Sequence, residues 1–134
     1  MKTFKKKYRT GPVKCKIVSE SEADEQEIVI RYLKLAYPKA LYCASAGGLW
    51  TTPSQANKMT RTGYVKGFPD LFIYEPRKES HGLAIEMKRK KGKGSVTSPQ
   101  QIWWQDELRN RGYCSYICFG SEEAIKIIDE YFNE

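Results

Sequence analysis

Apolar and polar residues follow two different rhythms along the chain, and the switches between them mark the elements. An acidic run after Ser19 leads into apolar positions at Ile28, Leu33 and Leu35 before Pro38, which predicts a helix over residues 20–37 capped by Ser19 or Ser21. Leu41-Tyr42-Cys43-Ala44 is a short strand candidate. A polar stretch over 51–62 leaves room for a short helix, and Gly63 and Gly67 mark loops on either side of Tyr64-Val65. Residues 70–74 and 83–88 read as two strands joined by the turn-forming run 75–80, which predicts a hairpin. Their apolar triplets, Leu71-Phe72-Ile73 and Leu83-Ala84-Ile85, suit central strands buried on both faces.

Ser98-Pro99 opens the next helix, a capping residue followed by proline at the first helical position, and Gly112 follows its end near Asn110. Ile102 or Trp103, Trp104 and Leu108 have the three- and four-residue spacing of a buried stripe. A strand over 114–119 and an amphipathic helix over 122–131, with Ile125, Ile127 and Ile128, complete the chain. The order is α, β, β, β, α, β, α, an α/β arrangement without internal repeats.

Composition narrows the class. A length of 134 residues suits one domain, read here as residues 20–134 behind a basic arm at 1–19. Hydrophobic residues at 40% and charged residues at 29% belong to a folded protein rather than a disordered one. No apolar run approaches the ~18 residues of a membrane span. The N-terminus is positive but has no apolar stretch behind it, as a signal peptide requires, so a cytoplasmic location is expected. Of Cys15, Cys43, Cys114 and Cys118 only the last two are close, and the single histidine, His81, is far away, which does not make the two close-set ligand couples of a zinc module. Cys114 and Cys118 are read instead as small buried residues of a strand.

The net charge of +7 is unevenly distributed, with basic residues crowded into 2–9 and 88–93. Such clusters attract polyanions and confer salt-dependent affinity for phosphate backbones. Lys66, Arg89, Lys90, Lys91 and Lys93 are the candidate nucleic-acid contacts. Of the three tryptophans, Trp104 suits core packing, and one of Trp50 and Trp103 is expected to be exposed, where it can stack on unpaired bases.

The chemistry concentrates in Gly67-Phe68-Pro69-Asp70 and Ile85-Glu86-Met87-Lys88. Side chains alternate along a strand, so Glu86 and Lys88 project to one face and Met87 to the other, while Asp70 begins the neighbouring strand. Ionised groups on strands this apolar are costly unless paired or bound to metal. Two carboxylates and a lysine suit phosphodiester hydrolysis, because Mg²⁺ or Mn²⁺ takes hard oxygen ligands and activates water. Asp70, Glu86 and the backbone carbonyl of Met87 are the candidate ligands. Lys88 is placed to orient the water or stabilise developing charge.

Gly67-Phe68-Pro69-Asp70, then His81-Gly82-Leu83-Ala84-Ile85-Glu86-Met87-Lys88, then Ser98-Pro99-Gln100-Gln101 with Trp104 and Leu108, resembles the virus-type replication-repair nuclease family, VRR-NUC, of the PD-(D/E)xK superfamily. Gly112-Tyr113, Ala124-Ile125 and Tyr131 continue the likeness. The resemblance implies a restriction-endonuclease-like αβββαβ core, with a mixed four-stranded sheet flanked by helices. It implies a catalytic set of Asp70, Glu86 and Lys88, joined by Gln101, which can hydrogen-bond the lysine or water, and by a glutamate of the first helix. Glu22, followed by Gln26, fits that last position best, contributing to the metal directly or through water; Glu25 and Glu27 are close enough to leave the choice open. Alanine at position 46 departs from the asparagine that relatives often carry before the paired glycines. His81 is read as turn or strand packing. The implied activity is a structure-selective DNA endonuclease acting on branched DNA or Holliday junctions, as a homodimer, in replication, recombination or repair within a bacterial or phage-infected cell. The rival is a non-catalytic nucleic-acid-binding module on the same fold.

Overall fold

A computed structural model describes residues 21–46, 51–91 and 96–133. The basic arm, Trp50 and Lys93 lie outside the described residues. The elements run α1 (Glu22–Ala36), β1 (Tyr42–Ala44), α2 (Pro53–Arg61), β2 (Leu71–Ile73), β3 (Leu83–Lys88), α3 (Pro99–Asn110), β4 (Cys114–Phe119) and α4 (Ser121–Phe132). Three of the helices begin in reciprocal capping boxes written into the sequence: Ser21 with Asp24, Thr52 with Gln55, and Ser98 with Gln101. Among the described residues no helix is long and apolar enough to cross a membrane.

The strands form one four-stranded sheet in the order β1-β2-β3-β4. β1 and β2 pair antiparallel, as do β2 and β3, whereas β4 lies parallel to β3. The antiparallel pair β2-β3 is the predicted hairpin. The parallel pair needs a crossover, which α3 supplies. This is the mixed α/β sheet expected from the sequence.

Alternation along β3 divides the core. Leu83, Ile85 and Met87 join Val29 and Leu33 of α1 and Ala124, Ile128 and Tyr131 of α4 on one face. Ala84 packs with Phe72, Leu108, Phe68, Trp104 and Tyr113 on the other, beneath α3. Every residue of β3 is buried, so Glu86 and Lys88 share the α3 face in a setting with little water.

One sequence expectation changes. The inward side of α3 does not run through Ile102 or Trp103, which are 48% and 53% exposed; the helix buries Gln105 and Leu108 instead, with Trp104 half-buried against Phe68. Inside, the Gln105 Oε1 accepts from the Ser115 hydroxyl at 2.7 Å, which offsets part of the loss of water, while its Nε2 is buried without a partner among the described residues. Cys118 is buried and Cys114 partly so, but Cys43, on the edge strand β1, is exposed.

Candidate active site

Asp70 and Glu86 meet because the hairpin register makes them neighbours. Leu71 pairs with Ile85, so the next step toward the strand end sets Asp70 across from Glu86. Asp70 is held from both sides. The Ser45 N–H donates to its carbonyl at 2.8 Å, and its Oδ2 accepts the Met87 N–H at 2.7 Å. Gly67 fixes the approach: its φ of +92° disfavours other residues, and a Cβ there would lie 2.6 Å from the Gln100 carbonyl carbon. The loop carrying Asp70 is thereby laid directly on the start of α3.

Pro69 has a role not recognised from the sequence. Lys88 gives its carbonyl to the Gly120 N–H on the β4 side, so the preceding carbonyl, that of Met87, turns toward the opposite edge, where Asp70 takes the Met87 N–H. The register places the buried Pro69 next in line, and proline has no N–H to donate. The Met87 carbonyl therefore faces the Asp70 side without a ladder donor from Pro69. The signal was present in the Pro-Asp dipeptide, but its meaning depends on the register.

Glu86 is 4% exposed and Lys88 5%. Glu86 Oε1 accepts from Gln101 Nε2 at 2.5 Å, and Lys88 Nζ stands 3.9 Å from the same oxygen while donating to the Val96 carbonyl at 3.0 Å. Glu86 Oε2 is buried without a hydrogen-bond partner among the described residues. An ionised carboxylate in that state is costly unless a proton or a cation compensates it. Burial first, and then the charge of Asp70, push the Glu86 carboxyl up to about 8, against the opposing pull of Lys88. Burial also raises Asp70, partly offset by its Met87 hydrogen bond.

Gln101 differs from expectation in its partner. Its amide oxygen accepts the Ser98 N–H at 2.9 Å in the capping box, which points its NH₂ at Glu86 rather than at the lysine. The first turn of α3 and the buried carboxylate are thus tied by one side chain.

The three glutamates of α1 differ in their settings. Glu22 is exposed and lines a cleft with Gln26, Ser45 and Asp70, and its charge raises the pKa of both Asp70 and Glu86. Glu25 is buried on the other side, where its Oε2 accepts the Ser121 N–H at 2.6 Å at the start of α4. Glu27 lines the same cleft as Glu22 and pairs there with Arg31 at 2.9 Å. Tyr64, passed over as a loop residue, also faces the site: burial raises its pKa, as do the charges of Glu86 and Asp70.

The basic candidates divide as well. Lys66 is exposed beside the site, its carbonyl accepting the Trp104 indole N–H at 3.2 Å. Lys90 Nζ turns to Glu25, 3.9 Å away, and Lys91 lies 5.9 Å over the Phe119 ring. Arg89 is exposed. His81 packs against Gly112 and Tyr113 at the opposite end of β3 from the carboxylates.

Among the described residues no three His, Cys, Asp or Glu side chains form a ready metal cluster. The hard oxygen donors available to a cation are Asp70, Glu86 with its unpartnered oxygen, and the Met87 carbonyl. That donor set fits Mg²⁺ or Mn²⁺, which complete their shells with water.

The sequence matches the VRR-NUC domain family over residues 2–122. Among solved structures it is similar to one described as a VRR_NUC domain protein, with 27% sequence identity and a TM-score of 0.70 over 87% of this chain and 92% of that one. No curated protein matches the sequence.

Proposed function

The chain belongs to the VRR-NUC nuclease family, and on that premise we propose that it is a Mg²⁺- or Mn²⁺-dependent DNA endonuclease whose site is Asp70, Glu86, Lys88, Gln101 and Glu22. The observation that carries this reading is Glu86: a buried carboxylate beside a second one, pushed up to about 8 and with one oxygen left unpartnered. Such a group is unfavourable in the empty protein and becomes favourable when a divalent cation occupies the position.

Asp70, Glu86 and the Met87 carbonyl would hold the ion, and Glu22 at the rim would contribute directly or through water. When bound, the ion supplies Lewis-acid polarisation of the scissile phosphate and a lowered pKa for the attacking water. Lys88, fixed by the Val96 carbonyl, orients that water and offsets charge developing on the phosphate. Gln101 keeps Glu86 in place. Lys66 and Arg89 add phosphate affinity without reading sequence, as do the neighbouring Lys90, Lys91 and Lys93.

The preferred substrate is branched DNA such as a four-way junction, cut by a symmetric homodimer that presents one site to each of two related strands, in phage or mobile-element replication, recombination or repair. The test is incubation of the protein with linear duplex, single strand, flap and four-way junction, with chelator, Mg²⁺ or Mn²⁺. Metal-dependent cutting with the junction or flap favoured is expected. Cutting that persists in chelator, or binding without cutting in either metal, would overturn the reading.

A further inference from the structure

α2 is strongly encoded yet contributes nothing to the core. Thr52, Pro53 and Gln55 give it a proline start and a capping box, but none of its residues is buried. What it builds is one side of a cavity of about 560 Å³, within the ~300–1,000 Å³ range of small-ligand sites. Ala56 and Met59 of α2 face Tyr64 and Val65 across an apolar, aromatic floor, and Thr51, Thr60 and Lys66 supply a polar rim.

The cavity is joined to the catalytic residues from two directions. Tyr64, in its wall, stands in the field of Asp70 and Glu86. Lys66, at its rim, is bonded through its carbonyl to Trp104 of α3, the helix whose Gln101 holds Glu86.

Charge indicates the kind of occupant. Residues 51–69, which carry α2 and the lining of the cavity, include no Asp or Glu, while Lys58, Arg61 and Lys66 are cationic. A flat apolar body flanked by anionic groups matches a cavity with an aromatic floor in such surroundings. Bases within a duplex are already stacked and paired, so they present no free face to it.

We propose that the cavity beside α2 receives an unpaired nucleobase adjoining the scissile phosphate, stacked on Tyr64 and packed by Met59 and Val65, with Lys66 on the neighbouring phosphate. This rests on the nuclease reading and deepens it: the substrate class becomes DNA with an unpaired nucleotide next to the cut, as a flap or strained junction exposes. Stacking on an aromatic side chain is sequence-tolerant, so the site selects for an unpaired state rather than for a particular base.

The test uses the full chain in chelator, where binding is read without cutting. Fluorescence anisotropy compares a duplex carrying one unpaired thymidine with the same duplex fully paired. The unpaired probe should bind about 5- to 150-fold more tightly, the range that loss of one base-stacking contact produces. Tyr64→Ala should bring that ratio close to one with the affinity for paired duplex nearly unchanged, and Tyr64→Phe should keep it. Ala56→Leu fills the cavity from an exposed helical position, so it carries the test should Tyr64→Ala fail to fold, and it too should abolish the preference. A wild-type ratio near one, or a preference that survives Ala56→Leu, overturns the proposal. The nuclease reading is judged separately by cleavage of the same probes in Mg²⁺ or Mn²⁺: cutting without the preference removes only the base site, and the preference without cutting removes only the nuclease.

Discussion

Replacing Glu86 by glutamine should stabilise the metal-free protein while ending cleavage. With a folded-state pKa of about 8 against an ordinary 4.5, the native protein holds a proton at pH 7 that the unfolded chain has released. The sign follows from linkage: this contribution to stability is fully present below pH 4.5 and is lost as pH rises through 8. At ~1.36 kcal/mol per pKa unit, the loss is about 3 kcal/mol at pH 7 and about 1 kcal/mol at pH 5. Glutamine removes the titration while its amide oxygen still accepts from Gln101. Lys88, 3.9 Å away, has a mostly neutral neighbour in both proteins at pH 7, but the amide buries an NH₂ in place of the carboxyl's second oxygen, which returns part of the gain. The net expectation is about 1–3 kcal/mol at pH 7, several degrees in Tm for a domain of this size. Thermal unfolding in chelator at pH 5, 7 and 8 measures it, and the advantage of the variant should widen with pH. Added Mg²⁺ should then raise the Tm of the wild type but not of Glu86→Gln. A gap that does not change with pH, or an equal response of both proteins to Mg²⁺, would refute the assignment of Glu86 as a strained ligand.

Lys88→Ala should abolish cutting while changing junction affinity by no more than a few-fold, since many other cations supply phosphate contacts; parallel gel shifts in chelator and cleavage assays in Mg²⁺ check it. Gln101→Ala removes both the Glu86 hydrogen bond and half of a capping box, so denaturant unfolding should show a loss of about 1–2 kcal/mol alongside slower cleavage. Gly67→Ala meets both the positive φ and the 2.6 Å approach to Gln100, and the same unfolding measurement should show a loss above ~2 kcal/mol. Pro69→Ala introduces an N–H opposite the Met87 carbonyl, and titration of cleavage against Mg²⁺ should show a several-fold higher metal requirement.

Much of the architecture was legible because it is locally encoded. Alternation marked β3 and put Glu86 and Lys88 on one face; the capping residues marked the starts of α1 and α3; the polar run over 75–80 marked the hairpin. The site was only half legible. Glu86 and Lys88 follow from strand parity, but their burial, and hence the raised pKa, depends on α3 covering that face. The stripe on α3 misled because Ile102 and Trp103 are apolar yet exposed, whereas Gln105 is polar yet buried, its Oε1 held by Ser115. Hydrophobicity predicts burial only where polar groups lack buried partners.

By itself, then, the sequence determined the order of the elements, the pairing of two central strands, the shared face of Glu86 and Lys88, and a family resemblance strong enough to imply a nuclease. These properties depend on neighbours a few residues apart, through backbone periodicity and capping. Tertiary structure alone decided which glutamates of α1 face the cleft, where Gln101 spends its two amide ends, and why a proline precedes Asp70. Glu22 and Glu25 are nearly interchangeable in sequence, but one helical turn carries the first to the rim beside Asp70 and the second to the buried start of α4. That choice is made by the docking of α1 on α4 and the sheet, a contact between segments about a hundred residues apart that no local pattern encodes.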